Sequence, residues 1–375
     1  MTGSESPEDF EAFAITSTPA IEDIAIAPKH DAPQHGPRPL PLFLDILWKE
    51  TQNDTVFRAK AFEGLKKYQW AKRTKRELKA AIVATAGSAR LLHYGGAGRP
   101  IIFVPSLINP HVVLDLSDRN SLIGYLRERG LNVYLVDWGF PLAEDRELGL
   151  AEHVTQRLLP LLADLKEPPV LAGYCLGGTM TAAACAMMET SALVMIAAPW
   201  DFDGFPPPDR ERILALWDKA KPMCERLGYV PMEVLQSGFW TLDPGRTIRK
   251  YAAFADMPEG FDAANAFIVV EDWANEGAPL TYAAGCDLFE RLYGANESGK
   301  GQWQVGGEMI DPAGLQCPFL NVISNTDHIV PAASASRGGK ELRLDSGHVG
   351  MIVGGRAREQ LWTPLAEWLL ESNRR

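Results

Sequence analysis

Residues 170–187 constrain this chain more than any other stretch. The apolar run Val170-Leu-Ala172 leads straight into Gly173-Tyr-Cys-Leu-Gly177, and a helical pattern of small residues follows from Leu176 to about Glu189. A strand that gives way to a helix within one residue forces the residue at the turn into a strained backbone conformation. Side chains at 173 and 177 would collide with the adjoining strand and helix, so glycine at both positions predicts such a turn with Cys175 at its apex. The sulfur then stands exposed at the mouth of a sheet. The helix behind it aims free N–H groups and the positive end of its dipole at that sulfur, which favours a thiolate and, during reaction, an oxyanion.

The pattern on either side predicts the rest of that sheet. Strand-like runs occur at Ala89–His93, Pro100–Pro105, Leu131–Val136 and Ala192–Ile196, with helical periodicity over Ser121–Arg129, where Asn120 is the expected cap, and over Leu150–Leu165. Such alternation specifies an α/β fold, a mostly parallel central sheet with helices on both faces. It breaks after Pro199-Trp-Asp201 and resumes with strands at Pro318–Ser324 and Glu341–Asp345 and a closing helix from about Ala357 to Leu370. The division read from this is a disordered tail (1–38), an N-terminal helical segment (39–88), a core (89–202 and 312–375) and a largely helical lid or cap insertion (203–311). The tail is rich in Pro, Ala, Asp and Glu without a sustained period, and the many aromatics of the insertion read most simply as core.

At 375 residues and 46% hydrophobic content the chain can fill a large core, yet no apolar run reaches the roughly 18–20 residues a membrane span needs. The N-terminus lacks the basic and apolar regions of a secretory signal, so a cytoplasmic location is expected. The five cysteines have no paired spacing of the C-x-x-C kind; neither a disulfide framework nor a metal site is expected, and Cys185, Cys224, Cys286 and Cys317 receive no role. A net charge of −11 argues against nucleic-acid binding. One basic segment, 58–79, with Lys66, Lys67, Lys72, Arg73, Lys75 and Arg76 among aromatics, reads as the solvated face of an amphipathic helix, ahead of a site for phosphates or an acidic surface.

Two further chemical groups follow the resumed strands, Asp327 beyond Val322-Ile-Ser-Asn325 and His348 within Ser346-Gly-His-Val-Gly350. The order nucleophile, acid, histidine is that of α/β-hydrolases, where the three meet above the carboxyl edge of the sheet. His348 would take the proton from Cys175, and Asp327 would fix the imidazole tautomer and stabilise its charged form. Asp327 could instead cap a helix, and His328 competes for the histidine role, though its adjacency to the acid makes that awkward. His30, His35, His93, His111 and His153 are scattered and read as surface or core residues. An oxyanion hole needs two backbone donors. One is the N–H of Leu176; the other comes from Val104-Pro-Ser-Leu-Ile-Asn109, as Ser106 or Leu107, a choice the sequence leaves open.

Taken together, these residues resemble the polyhydroxyalkanoate (PHA) synthases of the α/β-hydrolase superfamily, which polymerise (R)-3-hydroxyacyl-CoA into storage polyester. The motifs that carry the resemblance are Val104–Asn109 with Val113-Leu-Asp-Leu116, Asn120-Ser-Leu122, Val136-Asp-Trp-Gly139 with Pro141, Gly173–Thr179, Glu271-Asp-Trp273, Asp327-His-Ile-Val-Pro331 and Ser346–Gly350. The compact length is most similar to the short, class III-like synthases that work with a second subunit. The resemblance implies Cys175 as acyl-thioester nucleophile, His348 as its base and Asp327 as third group, helping to activate the 3-hydroxyl of the incoming unit. It implies no cofactor, since the CoA thioester is substrate and CoA the leaving group. It further implies a growing polyester chain, a second synthase subunit and a homo-oligomer as partners, at the surface of cytoplasmic PHA granules. The 271–280 segment follows the family's lid pattern only in part, and the region before residue 90 is not matched. Two alternatives therefore stand: a hydrolase (PHA depolymerase or thioesterase) with the same three groups, because water competes for the same acyl-enzyme, and a non-catalytic granule-associated protein.

Overall fold

The computed structural model describes residues 36–73 and 79–372. Two helices, α1 (Leu40–Glu50) and α2 (Thr55–Trp70), precede an eight-stranded sheet of β1 (Ala81–Ala86), β2 (Ala89–His93), β3 (Ala97–Val104), β4 (Leu131–Asp137), β5 (Val170–Tyr174), β6 (Ala192–Ile196), β7 (Phe319–Ser324) and β8 (Lys340–Leu344). The strands lie in the order β1-β2-β4-β3-β5-β6-β7-β8. β2 pairs antiparallel with β1 and β4, and every pairing from β4 to β8 is parallel. β5 and β6 are buried at every position, which is why they read as unbroken apolar runs rather than as alternation. One face is covered by α3 (Leu176–Met187) and the helical stretch 150–162, the other by Leu122–Arg127 and Thr363–Ser372. Strand order reverses around β3, so the loops after β3 and β5 leave the sheet side by side, where open α/β sheets bind ligands.

The lid is helical as its periodicity predicts: α4 (Pro207–Leu227), α5 (Met232–Leu242), α6 (Pro244–Ala255) and α7 (Asp262–Asn275) lie between β6 and β7. It does not stand alone. Helices α1 and α2 pack on α6 and α7 through Phe43, Tyr68, Tyr251, Phe254 and Phe267, whose rings meet edge-on or stacked. Tyr68 Oη donates to Asp272 Oδ1 at 2.6 Å, and the Arg73 guanidinium pairs with the same carboxylate at 3.0 Å. Closest approach is at Gly64, where a Cβ would lie 1.8 Å from the Tyr251 carbonyl oxygen. Backbone cannot yield as a flexible side chain would. Gly64→Ala is therefore expected to destabilise the protein by about 2–3 kcal/mol, read as a lower urea midpoint at unchanged slope.

Several expectations need correction. The sheet begins inside the 39–88 segment: β1 is an edge strand with Ile82 and Val83 exposed, so its sequence lacks a buried strand's signature. Helix α2 stops at Trp70, partway through the basic 58–79 segment, because Ala71 turns to extended backbone (ψ 140°) and Arg73 folds back to donate to the Tyr68 and Ala71 carbonyls at 2.8 and 2.7 Å. Lys67 and Arg73 are thus tied to the helix ends and lid rather than forming a purely solvated face, while Lys75 and Arg76 lie outside the described residues. Ser121, not Asn120, caps the helix that follows it, accepting from the Gly124 N–H at 2.7 Å; Asn120 donates to the Val353 carbonyl instead. Of the 1–38 tail, residues 1–35, with His30 and His35, lie outside the described residues, but Arg38 is docked, its N–H donating to Asn275 Oδ1 at 2.9 Å. No helix among the described residues is long and apolar enough to cross a membrane.

Candidate active site

Cys175 occupies the turn between β5 and α3 with φ 56° and ψ −132°, a conformation costing about 1–3 kcal/mol for a residue with a side chain. The packing around it enforces that geometry. A Cβ on Gly173 would lie 2.4 Å from the Gly177 carbonyl oxygen, and one on Gly177 would lie 2.1 Å from that of Val104. Gly178 is equally constrained, its Cβ position 2.3 Å from the Ala198 methyl, so three glycines rather than two let the helix enter. The Cys175 N–H donates to the Ile196 carbonyl at 2.9 Å, tying the turn to the neighbouring strand.

Asp327 and His348 follow β7 and β8, which brings both to the same edge as Cys175. His348 Nδ1 lies 2.6 Å from Asp327 Oδ2 in a buried pair. The other carboxylate oxygen accepts from the N–H groups of Ile329 and Val330 at 2.8 and 3.0 Å, so Asp327 both caps its own turn and holds the histidine. The imidazole stacks on Tyr174 (centroids 5.0 Å apart, 24° between planes), and with Nδ1 held by Asp327 its Nε2 is the nitrogen left to exchange a proton with Cys175. Burial alone would lower the His348 pKa; the Asp327 carboxylate and then the Cys175 sulfur outweigh it and raise it to about 10. His328, the competing histidine, lines the cavity beside Cys175, but the carboxylate bond goes to His348.

Of the oxyanion candidates, Leu176 heads α3, where the first N–H groups have no intrahelical acceptor. Ser106 borders the cavity that contains Cys175, and its hydroxyl accepts from the Ile108 N–H at 3.2 Å. Leu107 instead faces a separate small recess with Trp138 and Leu280. Trp138 fixes this loop, its Nε1–H donating to the Pro105 carbonyl at 3.0 Å. The cavity measures about 520 Å³ and is roofed by the lid, with Gln236, Phe239, Trp240, Arg246, Lys250 and Phe267 facing in from α5, α6 and α7. Helical periodicity predicts those helices but carries no sign of which face covers the cysteine.

A second cysteine feature also escapes the spacing argument. Cys185, on α3, and Cys317, just before β7, are neighbouring thiols that influence each other's titration although 132 positions separate them. The neighbouring Cys185 pulls the half-buried Cys317 thiol below the usual range, while burial pushes Cys185 up. At pH 7 Cys317 is expected to react with iodoacetamide several-fold faster than an ordinary thiol. Peptide mass spectrometry against time checks this, and Cys185→Ala should return Cys317 to the ordinary rate.

Residues 91–358 match the family model described as the alpha/beta hydrolase family. Among curated proteins, the chain is 28% identical over 316 residues to the poly(3-hydroxyalkanoate) polymerase subunit PhaC of Haloferax mediterranei, covering 77% of this chain and 63% of that one. It is 27% identical over 293 residues to the same subunit of Haloarcula marismortui (72% and 61%) and 28% identical over 292 residues to that of Allochromatium vinosum (72% and 81%). The chain thus spans a little under two thirds of the length of the first two relatives. Strand order, the glycine-lined turn and the family match over residues 91–358 agree: the chain belongs to the alpha/beta hydrolase family, and among curated proteins it is similar to poly(3-hydroxyalkanoate) polymerases.

Proposed function

We propose that the chain is an acyltransferase of the PHA synthase type, polymerising (R)-3-hydroxyacyl-CoA through a thioester on Cys175 with release of CoA. The observation that carries this is the nucleophile itself, a cysteine at the strained turn beside the His348–Asp327 pair, beneath a lid-covered cavity. In the first step the Cys175 thiolate attacks the thioester carbonyl, backbone N–H groups receive the oxyanion, the His348 imidazolium gives its proton to the departing sulfur, and CoA leaves as its thiol. One thioester replaces another, so the acyl group stays activated. In the second step a 3-hydroxyl attacks the Cys175 thioester, neutral His348 takes the hydroxyl proton, and the thiolate is regenerated as an ester forms. A serine at 175 would form an oxygen ester in the first step and lose that driving force.

The role of Asp327 in this scheme is to orient and charge His348. Both of its oxygens are engaged, one by the imidazole and one by two backbone N–H groups, which favours positioning over direct contact with the incoming hydroxyl. A second synthase subunit, a homo-oligomer and a place at cytoplasmic granules belong to the same proposal, resting on the resemblance. The test is incubation with 3-hydroxybutyryl-CoA, alone and with a candidate partner subunit, following free CoA with a thiol reagent and the acyl product by mass spectrometry. Polymer, or oligomers attached at Cys175, supports the proposal. Monomeric hydroxy acid would make the protein a hydrolase, and no CoA release from any acyl donor would leave a non-catalytic role.

A further inference from the structure

Cys175 borders two cavities. Besides the lid-covered one, a smaller recess of about 50 Å³ lies on the Leu176 side, sharing Ile108, Phe239, Leu242 and Ile329 with the larger. Among its lining residues only two side chains carry a polar atom, the thiol of Cys175 and the hydroxyl of Tyr293; the rest are apolar, Phe202, Leu288 and Phe289 among them. The Tyr293 ring is fixed by Phe202 and Phe205, at centroid distances of 4.8 and 5.1 Å, and its backbone carbonyl accepts from Arg210 Nε at 2.6 Å. The hydroxyl itself has no hydrogen-bond partner among the described residues. Burial, reinforced by the neighbouring Cys175, keeps the phenol protonated, so it can donate and accept. Lining the recess beside the nucleophile and unused by the protein, this hydroxyl is available to pair with a ligand group.

We propose that this recess seats the acyl unit bound to Cys175, with the Tyr293 hydroxyl hydrogen-bonded to that unit's 3-hydroxyl. The inference rests on the acyl-enzyme reading of Cys175 and adds to it a specificity-determining residue, Tyr293. The volume is several times the ~10–15 Å³ that admits one water, which suits the few carbons beyond the thioester carbonyl of a short acyl chain. A site built to pair with a substrate hydroxyl rejects the analogue lacking it far more strongly than an apolar pocket could.

The experiment compares Cys175 acylation by 3-hydroxybutyryl-CoA and by butyryl-CoA in the wild type and in Tyr293→Phe, using CoA release and intact-protein mass. The variant keeps the ring and its stacking and removes only the hydroxyl. The wild type should prefer the hydroxyacyl donor. In the variant acylation by that donor should fall about tenfold while acylation by butyryl-CoA is unchanged, so the preference collapses. An equal fall for both donors would show a merely structural tyrosine and overturn the inference, as would an unchanged preference. Wild-type acylation by both donors at one rate would overturn it while leaving the acyl-enzyme intact. Acylation by neither would remove the acyl-enzyme reading and this inference with it.

Discussion

Cys175→Ala is expected to lower CoA release from 3-hydroxyacyl-CoA by about four to six orders of magnitude, the scale of losing a nucleophile. Fold stability should hardly change. The cysteine side chain is half-buried at a cavity wall, and alanine at φ 56° meets the same Cβ restriction as cysteine, so the variant loses one sulfur without gaining strain. Steady-state CoA release and a thermal melt on the same sample check both halves. A variant that keeps more than about a hundredth of the wild-type rate would mean that acyl transfer bypasses Cys175. Cys317 is the thiol to exclude in that case, given its lowered pKa, and the Cys175→Ala/Cys317→Ser double variant separates the two.

The parts of this molecule legible from sequence are those where local sterics decide the structure. Gly173 and Gly177 have no room for a side chain against backbone carbonyls, and β5 and β6 are buried on both faces, so glycine spacing and apolar runs report them directly. Asp327 and His348 were legible for a related reason: each follows a strand, and a parallel sheet delivers all such loops to one edge. Interactions fixed by long-range packing were not. The 58–79 segment has an amphipathic composition, but only the arrival of Asp272 from α7 turns Arg73 into a tie to the lid. The pairing of Cys185 with Cys317 depends on α3 crossing beside the start of β7, and the loneliness of the Tyr293 hydroxyl depends on what surrounds it. Edge strand β1 fails for the opposite reason, since it buries too little to leave a pattern.

Asp327→Asn should lower the rate by about three to four orders of magnitude and also change how the protein titrates. The carboxylate now accepts on both oxygens, from two backbone N–H groups and from the imidazole. An asparagine can keep only one set: if its oxygen stays with the Ile329 and Val330 N–H groups, its NH₂ faces His348 Nδ1 and forces the proton onto Nε2, towards Cys175. That tautomer cannot take a proton from the thiol or an incoming hydroxyl. The pH consequence has a definite sign. In the wild type the His348 pKa is raised from 6.5 to about 10, so its contribution to stability is complete below about 6.5 and is lost as pH rises through about 10. Without the carboxylate, burial dominates and the pKa falls, so the imidazole should be neutral at pH 7. Imidazole ¹⁵N shifts against pH should place the wild-type transition well above neutral and the variant's below 6.5. Melting temperature should fall between pH 7 and 10 in the wild type by more than in the variant. Matching titrations in the two proteins would mean that Asp327 does not hold the charge on His348, and the rate loss would then need another cause.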